Sequence, residues 1–348
     1  MFFERVDMRC AIIILNWNGL GDTIECIDSI ISHNSKMIDI FVVDNASEVD
    51  ELGKLKRMYG DNISKYIQND TNLGFSGGNN VAINHAISMN YQYICTLNND
   101  TAVTDNWIEE ILLTLDADHS LGSAGGKLMI YGEENTLNST GIIPLPQGAG
   151  IDRGRFTLDD GRFDAFTDVF GITAGYCVYR SEALKQVGLF DEDFFAYNED
   201  VDLAWRLQLH GWRSRYVPQC VVFHKFSSTT GRRNPFKIIN GERNRIYTMW
   251  KNFSMTESLG ANVWSIRKKA FGLFLTLKNE GRGAYWTEGK RTRILWLLLI
   301  LTKGRVKSLQ KFFSMRGKYR RERKKFTVKR KTILDSHLNW SVSELSRM

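Results

Sequence analysis

Short apolar runs alternate with amphipathic stretches along the first third of the chain. The first run, Arg9 to Leu15, is continuous and rich in β-branched residues, as is typical of a strand buried on both faces of a parallel sheet. Asp22 to Ser32 follows, with isoleucines at helical spacing. The alternation continues with predicted strands at 38–43, 63–67 and 91–97 and predicted helices at 76–89 and 105–115. This order predicts an α/β fold with a mostly parallel central sheet flanked by helices.

The pattern weakens in the middle of the chain and changes again towards its C-terminal end. Residues 131–170 are rich in Gly, Pro and polar residues without a clear period, which predicts a long loop or a lid over the site. Regular patterning returns with strands at 173–179, 215–217 and 220–223 and helices at 181–187 and 200–210. The apolar run 271–277 and apolar positions at helical spacing over 294–313 predict amphipathic helices. We therefore expect a main domain over residues 1–255 and a helical, basic extension over residues 256–348.

The net charge of +7 is unevenly distributed. Fourteen Lys or Arg residues and one acid lie between Lys303 and Lys331, so this basic tail carries +13 and the rest of the chain is acidic. A basic segment beside amphipathic helices is typical of binding to an anionic membrane surface. A solvated charge run or a contact within an oligomer is the alternative. A nucleic-acid partner is not expected, because aromatic residues do not interleave with the basic ones.

The cysteines and the apolar runs indicate in which cellular compartment the protein lies. Five scattered cysteines contain no Cys-x-x-Cys pair, which predicts buried, reduced thiols in a reducing compartment rather than a thiolate zinc site. The N-terminal apolar run is too short for a secretory signal, and no run approaches the roughly 20 apolar residues of a membrane-spanning helix. We expect a cytoplasmic protein that is peripheral on the inner face of the plasma membrane.

Polar clusters follow three of the predicted strands. They are Asn16-Trp-Asn18-Gly19, Asp44-Asn-Ala-Ser47 and Asn98-Asn99-Asp100. Each alone is compatible with turn chemistry. Ligands of such sheets bind beyond the carboxyl ends of the strands, so three clusters on that edge together favour a nucleotide site. The Gly-rich segment Asn72 to Asn80 has neither the Gly-x-Gly-x-x-Gly spacing nor a P-loop Lys, which disfavours a dinucleotide oxidoreductase or an NTPase.

Acids and aromatic residues crowd together between residues 190 and 206. Crowding of Glu199, Asp200 and Asp202 predicts a raised carboxyl pKa, which suits a general base. The alternative is that these acids favour the N-terminus of a helix. The aromatic residues nearby belong either to the core or to a sugar-stacking surface. Asp100, directly after a buried strand, suits a divalent cation, and His224 after a later strand is either a structural histidine or a metal ligand.

These motifs resemble those of family 2 glycosyltransferases with the GT-A fold, in the bacterial rhamnosyltransferase-like group. The matching segments occur in family order across roughly residues 9–250, and they are Ile14–Gly19, Val43–Ser47, Asn72–Asn80, Leu97–Asp100, Phe194–Arg206 with Gly211-Trp212, and Val222–His224. Any one of them is a weak signal, whereas the ordered set is highly specific.

The resemblance implies a role for each matching residue. Asp44 contacts the base or ribose, Asp100 binds Mg²⁺ or Mn²⁺ at the diphosphate, His224 is a further metal ligand, and Asp200 with Glu199 beside it takes the acceptor proton. The other nucleotide-sugar-binding residues implied are Asn16, Asn18, Asn72, Gly74, Asn80, Asn98 and Asn99. The acceptor-binding residues implied are Gly175, Tyr197, Trp205 and Asp202. Because Asn98 replaces the first Asp of the family's Asp-x-Asp motif, Asp100 must carry more of the metal site.

The implied reaction is an inverting transfer of a sugar from a nucleotide-sugar donor. We expect dTDP-rhamnose as donor and a glycan or polyprenyl-linked saccharide of a bacterial surface polysaccharide as acceptor. A catalytically silent nucleotide-sugar-binding or scaffold protein on the same fold is the alternative. A nucleotidyltransferase would need a basic Gly-rich loop near the first strand, and the segment from Asn16 to Gly19 is not one.

Overall fold

The computed structural model describes residues 9–33, 35–133, 135–225, 235–263, 267, 302–303, 305–309 and 326–338. The chain forms two compact units. The first comprises residues 1–144, 150–229 and 327–348, and the second comprises residues 145–149 and 230–326. The predicted amphipathic segments at 271–277 and 294–301, and most of the basic tail, lie outside the described residues.

A ten-stranded mixed sheet forms the centre of the first unit. Its strands are β1 (Cys10–Asn16), β2 (Ile38–Asp44), β3 (Lys65–Gln68), β4 (Tyr93–Asn98), β5 (Thr101–Val103), β6 (Leu121–Ile130), β7 (Leu137–Ser139), β10 (Asp168–Val169), β11 (Tyr176–Arg180) and β12 (Arg213–His224). A separate hairpin pairs β8 (Ile142–Pro144) with β9 (Gly150–Asp152). The order across the large sheet is β10-β12-β6-β11-β4-β1-β2-β3, with β5 paired to β12 and β7 to β6.

The N-terminal half of this sheet is parallel, as the sequence predicts. β1 lies between β2 and β4, and β3 extends the parallel set on the far side of β2. The register places Asn16 opposite Asp44 and Leu15 opposite Asn98. Three of the predicted polar clusters therefore meet at one edge of the sheet. β11 interrupts the parallel order, because it runs antiparallel to both β4 and β6.

Helices cover both faces of the sheet. They are α1 (Leu20–Ser32), α2 (Glu51–Tyr59), α3 (Gly74–Ser88), α4 (Glu109–Ala117), α5 (Ser181–Val187) and α6 (Glu199–Leu209). Successive residues of a strand point to opposite faces, so Ile12 and Ile14 enter one core cluster while Ala11 and Ile13 enter the other. This explains why the first apolar run of the sequence is continuous rather than alternating.

The prediction of a long loop or lid over residues 131–170 is wrong. This segment contains β7, β8, β9 and β10, and many of its residues are buried. It also follows β6, a strand that the sequence pattern did not reveal because four of its ten residues are Gly or Ala. Gly126 is required in β6, since a Cβ there would lie 2.0 Å from the carbonyl oxygen of Cys220.

Smaller differences concern the ends of elements. The segments predicted at 215–217 and 220–223 form one long strand, β12, with a register shift between Val217 and Val221.

All five cysteines are buried free thiols, as predicted, and burial raises the pKa of Cys26 to about 12. Within the described ranges, no helix has the length and apolar character needed to cross a membrane.

The second unit is described mainly through α7 (Pro235–Asn252). Arg245 pairs with Glu242 at 3.0 Å and donates from Nη1 to the carbonyl oxygen of Gln147 at 2.7 Å. Arg305 approaches the same Glu242 carboxylate at 2.9 Å. In the first unit, the C-terminal helix (Arg330–Leu338) packs against α6 and β8.

Candidate functional site

The edge formed by β1 and β2 holds a tightly connected polar network. Asn16 is fully buried, and its Nδ2 donates to Asp44 Oδ1 and to Glu51 Oε2, at 2.8 Å each. Thr23 Oγ1 donates to Asn16 Oδ1 at 2.7 Å. Asn18 lies at the exposed margin of this network with φ +50, and its backbone N–H donates to Ser47 Oγ. Asn16 therefore orients Asp44, while Asn18 lines the exposed rim.

Asp44 is held as a carboxylate. Its two oxygens accept hydrogen bonds from Ser47 N, Ser47 Oγ, Gln68 Nε2 and Asn16 Nδ2, at 2.6 to 3.0 Å. Burial raises the pKa of Asp44, but these donors outweigh burial and leave its pKa below the ordinary value. Gln68 is exposed, so its amide is the donor that an incoming ligand N–H can replace.

A second network joins β2 to the Gly-rich segment. Asn45 Nδ2 donates to Asn72 Oδ1 at 3.0 Å and to the carbonyl oxygen of Gly74 at 3.1 Å. Asn45 Oδ1 accepts from the backbone N–H of Leu73. The role of Asn45 was not predicted, because a lone Asn after a strand is ordinary turn chemistry. Because both its amide nitrogen and its amide oxygen form hydrogen bonds to this segment, Asn45 fixes the start of α3.

The start of α3 also contacts the loop that leads into α6. Gly74 has φ +70, and a Cβ on it would lie 2.4 Å from the carbonyl oxygen of Phe195. Ser76 N donates to that same oxygen at 3.1 Å. Asn80 Nδ2 donates to the carbonyl oxygen of Phe190 at 2.8 Å. Three residues predicted to bind the donor thus connect the end of β2 to the loop before α6. They are Asn72, Gly74 and Asn80.

Asp100 and His224 come together at the ends of β4 and β12. His224 Nε2 lies 3.1 Å from Asp100 Oδ1 and 3.2 Å from Asn98 Nδ2. Both Asp100 and the His224 ring are largely buried. Asn99 turns away, and its Nδ2 donates to Thr23 Oγ1 at 3.0 Å. The structure thus joins Asn98, Asp100 and His224 in one cluster and gives Asn99 a supporting position beside α1.

Asn138, on β7, orients the His224 ring. Its Oδ1 lies 2.8 Å from His224 Nδ1, and Asn138 itself is buried. A carbonyl oxygen only accepts, so this contact favours the tautomer with hydrogen on Nδ1 and the lone pair on Nε2. That lone pair points towards Asp100. Asn138 lies in the segment predicted as a lid, and its role was not predicted.

Lys225 fixes the chain directly after His224. Its backbone N–H donates to the carbonyl oxygen of Asp100 at 2.9 Å. Its ammonium group donates to Asp22 and Glu25 on α1, at 2.7 Å each. These carboxylates raise the pKa of Lys225, so it stays charged. The end of β12 is therefore tied both to the Asp100 turn and to α1.

The Asp100–His224 pair fits a hard divalent cation that also binds phosphate. Two ligand atoms at right angles around such an ion, each about 2.1 Å from it, lie about 3 Å apart, close to the spacing found here. The described residues contain no cluster of three or more His, Cys, Asp or Glu side chains able to hold a metal. A pair is what Mg²⁺ or Mn²⁺ requires when phosphate oxygens and water supply the other ligands.

The loop before α6 has an unusual backbone. Phe195, Tyr197 and Asn198 all have positive φ, between 63 and 74 degrees. Such conformations are costly for residues other than Gly and persist only where the surroundings enforce them. They present Glu199 and Asp200 as the first residues of α6. Tyr197 is half-buried in this loop, beside the acids.

Asp200 is connected to the turn from Asn98 to Asp100 through one dipeptide, Ala174-Gly175. Asp200 Oδ2 accepts from the backbone N–H of Ala174 at 3.3 Å. The carbonyl oxygen of Gly175 accepts from the backbone N–H of Asn98 at 2.9 Å. A Cβ on Gly175 would approach Asn98 Nδ2 to 3.2 Å, so the close contact favours Gly. The carboxylate of Asp200 and the Asp100 turn are therefore linked through the same dipeptide.

The two acids at the start of α6 have raised pKa values, as their crowding predicts. Burial and then the neighbouring Asp200 raise the pKa of Glu199. Burial and then the charge of Asp152, on β9, raise the pKa of Asp200. One oxygen of Glu199 is buried without a hydrogen-bond partner, which disfavours its charged form. Asp200 is half-buried and is the more accessible of the two.

Asp202 and Trp205, predicted to bind the acceptor, are fully buried instead. Asp202 pairs with Arg206 Nε at 2.9 Å, and Arg206 donates to the carbonyl oxygens of residues 187, 188 and 189. Trp205 packs edge-on against Phe170 with ring centroids 4.8 Å apart. Full burial leaves neither side chain a surface for an acceptor, so we assign both to positioning α6.

Comparison with known proteins identifies the class. A mixed α/β sheet with this polar edge is the architecture of the GT-A fold. The chain belongs to glycosyl transferase family 2, whose family model matches residues 11–188. The predicted family and fold class are thus confirmed.

Individual relatives cover the chain only in part. It is 49% identical over 63 residues to an N-acetylglucosaminyl-diphospho-decaprenol L-rhamnosyltransferase of Mycobacterium tuberculosis, a match that covers 18% of this chain and 20% of the relative. It is 27% identical over 203 residues to a low-salt glycan biosynthesis hexosyltransferase of Haloferax volcanii, covering 56% and 60%. The chain therefore spans between a fifth and three-fifths of the length of these curated relatives.

Solved structures share the fold at low sequence identity. A mannosyltransferase of Pyrobaculum calidifontis, solved with GDP-Man and Mn²⁺, has a TM-score of 0.54 at 15% identity, covering 86% of this chain and 87% of that one. Residues 1–349 of S. aureus TarS give a TM-score of 0.51 at 14% identity, covering 90% and 92%.

Proposed function

We propose that this chain transfers a sugar from a nucleoside-diphosphate sugar to a saccharide hydroxyl, with inversion at the anomeric carbon. The observation that carries the proposal is the dipeptide Ala174-Gly175, which contacts Asp200 on one side and the Asp100 turn on the other. A carboxylate base and a diphosphate-binding group at one region are what a single displacement needs. The names of the curated relatives, a rhamnosyltransferase and a hexosyltransferase, support the same class of reaction.

Asp100 and His224 are the residues that would hold the cation, with Asn98 beside them. When bound, a divalent cation neutralises the charge that develops on the departing diphosphate. The solved mannosyltransferase contains Mn²⁺ together with GDP-Man, which supports this assignment. Asn138 then keeps the Nε2 lone pair of His224 directed at that position.

Asp44 is the residue proposed to recognise the nucleobase. Its carboxylate is charged and preorganised, and it offers an acceptor to the imide N–H of thymine or uracil when Gln68 is displaced. This supports dTDP-rhamnose as the first donor to test, with UDP-sugars next. Guanine also has an N–H donor, so GDP-sugars belong in the same screen.

Asp200 is proposed to take the proton from the acceptor hydroxyl. Its raised pKa makes it a stronger base than an ordinary Asp, and the residue is only half-buried. Glu199, more deeply buried and beside it, is proposed to stay protonated over most of the neutral range and so to leave the negative charge on Asp200.

The acceptor is proposed to be a glycan or a lipid-linked saccharide. The Mycobacterium relative is named for a diphospho-decaprenol-linked N-acetylglucosamine. The basic tail between Lys303 and Lys331 supports a position at an anionic membrane surface, where such lipids lie.

The decisive experiment compares the wild-type protein with Asp200→Asn. Wild type, with Mn²⁺ and a screen of dTDP-, UDP- and GDP-sugars, is expected to release nucleoside diphosphate. Asp200→Asn should lose transfer by at least about a hundredfold while calorimetry shows unchanged nucleotide binding, because only the proton acceptor has gone. Near-normal turnover by the variant would exclude Asp200 as the base. Donor binding without turnover by wild type would favour the catalytically silent alternative.

A further inference from the structure

The peptide group between His224 and Lys225 is fixed at both of its polar atoms. Its carbonyl oxygen, which belongs to His224, accepts from the backbone N–H of Tyr131 at 2.9 Å. Its N–H, which belongs to Lys225, donates to the carbonyl oxygen of Asp100 at 2.9 Å. The backbone that carries the His224 ring is thus bonded to the Asp100 turn on one side and to the residue after β6 on the other.

The side chain of Lys225 connects the same backbone to α1. Its ammonium group donates to Asp22 Oδ1 and Glu25 Oε2, at 2.7 Å each. It also lies 5.5 Å from the centre of the Tyr131 ring. Asp22 and Glu25 are three positions apart on a helix, so both carboxylates lie on one face and reach a single ammonium group. Tyr131 therefore contacts both the backbone of His224 and the side chain of Lys225.

The same helix holds the turn that carries the other residue of the proposed metal pair. Thr23 Oγ1 accepts from Asn99 Nδ2 at 3.0 Å. Cys26 Sγ donates to the carbonyl oxygen of Asn98 at 3.7 Å. α1 therefore contacts both halves of the pair, one directly at the turn and the other through Lys225.

A cation site with two protein ligands depends on the spacing of those ligands. His224 Nε2 lies 3.1 Å from Asp100 Oδ1. His224 is the last residue of β12, where strand pairing ends, so the contacts of Lys225 continue to fix the backbone at this point. Asn138 acts on the imidazole ring, whereas Lys225 acts on the backbone that carries the ring. Residues that orient a metal ligand change metal affinity without contacting the ion.

We propose that Lys225, held by two carboxylates of α1, is a positioning residue that sets the spacing of His224 and Asp100. In this way it sets the affinity of the pair for a divalent cation. Lys225 does not bind the cation itself, because an ammonium group has donors and no lone pair. The inference rests on the proposed function, since it concerns the cation site of that reaction.

The test measures the affinity of the full-length protein for Mn²⁺ alone, by electron paramagnetic resonance of the free ion. Lys225→Met should weaken binding by about tenfold, because the backbone of His224 loses its link to α1. Glu25→Gln removes part of the same link and should also weaken binding, by a smaller factor. These two substitutions change the local charge in opposite directions. An effect of charge alone would therefore strengthen binding in Lys225→Met and weaken it in Glu25→Gln.

Two further variants serve as controls. Lys225→Arg should keep Mn²⁺ affinity within about threefold of wild type, since a guanidinium group also donates to carboxylates. Arg9→Met is the matched control. Arg9 pairs with Asp39 at the same 2.7 Å, but this pair lies at the start of β1 and β2, away from their carboxyl ends. Its loss should leave Mn²⁺ affinity unchanged. Thermal melts of all variants verify that they fold.

The outcomes separate the positioning role from the proposed function. Unchanged Mn²⁺ affinity in Lys225→Met, shifts of opposite sign in Lys225→Met and Glu25→Gln, or an equal loss in Arg9→Met would each overturn the positioning role. Sugar transfer is assayed separately with donor and Mn²⁺. Transfer by wild type with unchanged Mn²⁺ affinity in the variants rejects the positioning role alone. Weaker Mn²⁺ binding in both variants, without any transfer by wild type, supports the positioning role and rejects the proposed reaction.

Discussion

The proposed metal site depends on the imidazole of His224 and on its amide partner, Asn138. Asn138 Oδ1 lies 2.8 Å from His224 Nδ1, which favours hydrogen on Nδ1, while Nε2 lies 3.1 Å from Asp100 Oδ1. A residue that orients a metal ligand in this way typically affects affinity without contacting the ion. Asn138 is therefore the most direct way to test the cation site without touching its ligands.

Asn138→Ala is expected to weaken Mn²⁺ binding by about tenfold to a hundredfold, because the His224 ring loses its preferred tautomer. Electron paramagnetic resonance of free Mn²⁺ measures the affinity, and ¹⁵N NMR of the imidazole reports the tautomer. Asn138→Asp keeps an acceptor oxygen at Nδ1 and should bind Mn²⁺ at least as well as wild type. A wild-type tautomer with hydrogen on Nε2 would contradict the assignment.

Glu199, the residue before Asp200, makes the stability of the folded protein depend on pH. Its pKa is raised in the folded protein, so the folded state holds this proton to higher pH than the unfolded chain does. Its contribution to stability is therefore favourable at low pH and is lost as pH rises from the ordinary carboxyl range through the raised value.

Glu199→Gln is expected to remove this pH dependence. The variant and wild type should have the same Tm near pH 4, and the variant should have a Tm a few degrees higher at neutral to alkaline pH. Each kcal/mol of unfolding free energy corresponds to about 2–4 °C in Tm for a domain of this size. Thermal melts across the pH range measure the difference. Glu182→Gln, on the exposed side of α5, is the matched control. A difference that shrinks with rising pH would contradict the burial explanation.

At the element scale, the start of α3 and the loop before α6 depend on each other. Gly74 allows the carbonyl oxygen of Phe195 to approach to a distance that no Cβ tolerates. That contact and the hydrogen bond from Ser76 help to hold the positive-φ backbone of the loop. The start of α3 and the loop before α6 therefore support each other through these contacts.

Gly74→Ala is expected to destabilise the protein by about 1–3 kcal/mol and to lower turnover, because both the positive φ and the contact with Phe195 are lost. Gly21→Ala is the matched control. Gly21 lies in α1, where a Cβ would have no neighbouring atom within 4 Å, so this position should tolerate Ala. Denaturant unfolding and donor turnover are measured for both. Equal effects in the two variants would show that the Phe195 contact has no special role.

At the scale of the whole molecule, the C-terminal end belongs to the first compact unit. Residues 327–348 group with it, and the helix Arg330–Leu338 packs against α6. A truncation of the basic tail that also removes this helix would disturb the element that carries Asp200. Charge substitution therefore tests membrane binding more cleanly than deletion does.

Replacing the seven basic residues between Arg316 and Lys325 by Gln is expected to release the protein from vesicles that contain phosphatidylglycerol. Each basic residue near anionic lipid contributes about 1 kcal/mol, so the loss should be large and salt-sensitive. Vesicle sedimentation measures it, with neutral phosphatidylcholine vesicles as control. If the variant binds these vesicles as well as wild type does, the apolar segments before the tail become the candidates for membrane binding.

Hydrophobic periodicity alone predicted the parallel half of the sheet and the edge at which its polar clusters meet. Arg9 to Leu15 is apolar at every position except its first, and that pattern has few solutions other than a strand buried on both faces. The carboxyl ends of such strands meet at one edge, so the sequence alone was enough to bring Asn16, Asp44 and Asn98 together. The crowding of acids at residues 199–202 likewise implied a raised pKa.

The three-dimensional packing was needed to tell which of these polar residues lie at the accessible edge of the sheet and which are buried supports. Asp202 and Trp205 share a motif with Asp200 but point into the core, because a helix sends residues two and five positions apart to different sides. β6 and the strands after it depend on long-range pairing that permits Gly, which local patterning does not register. The Asn138–His224 contact joins residues 86 positions apart, so no local pattern specifies it.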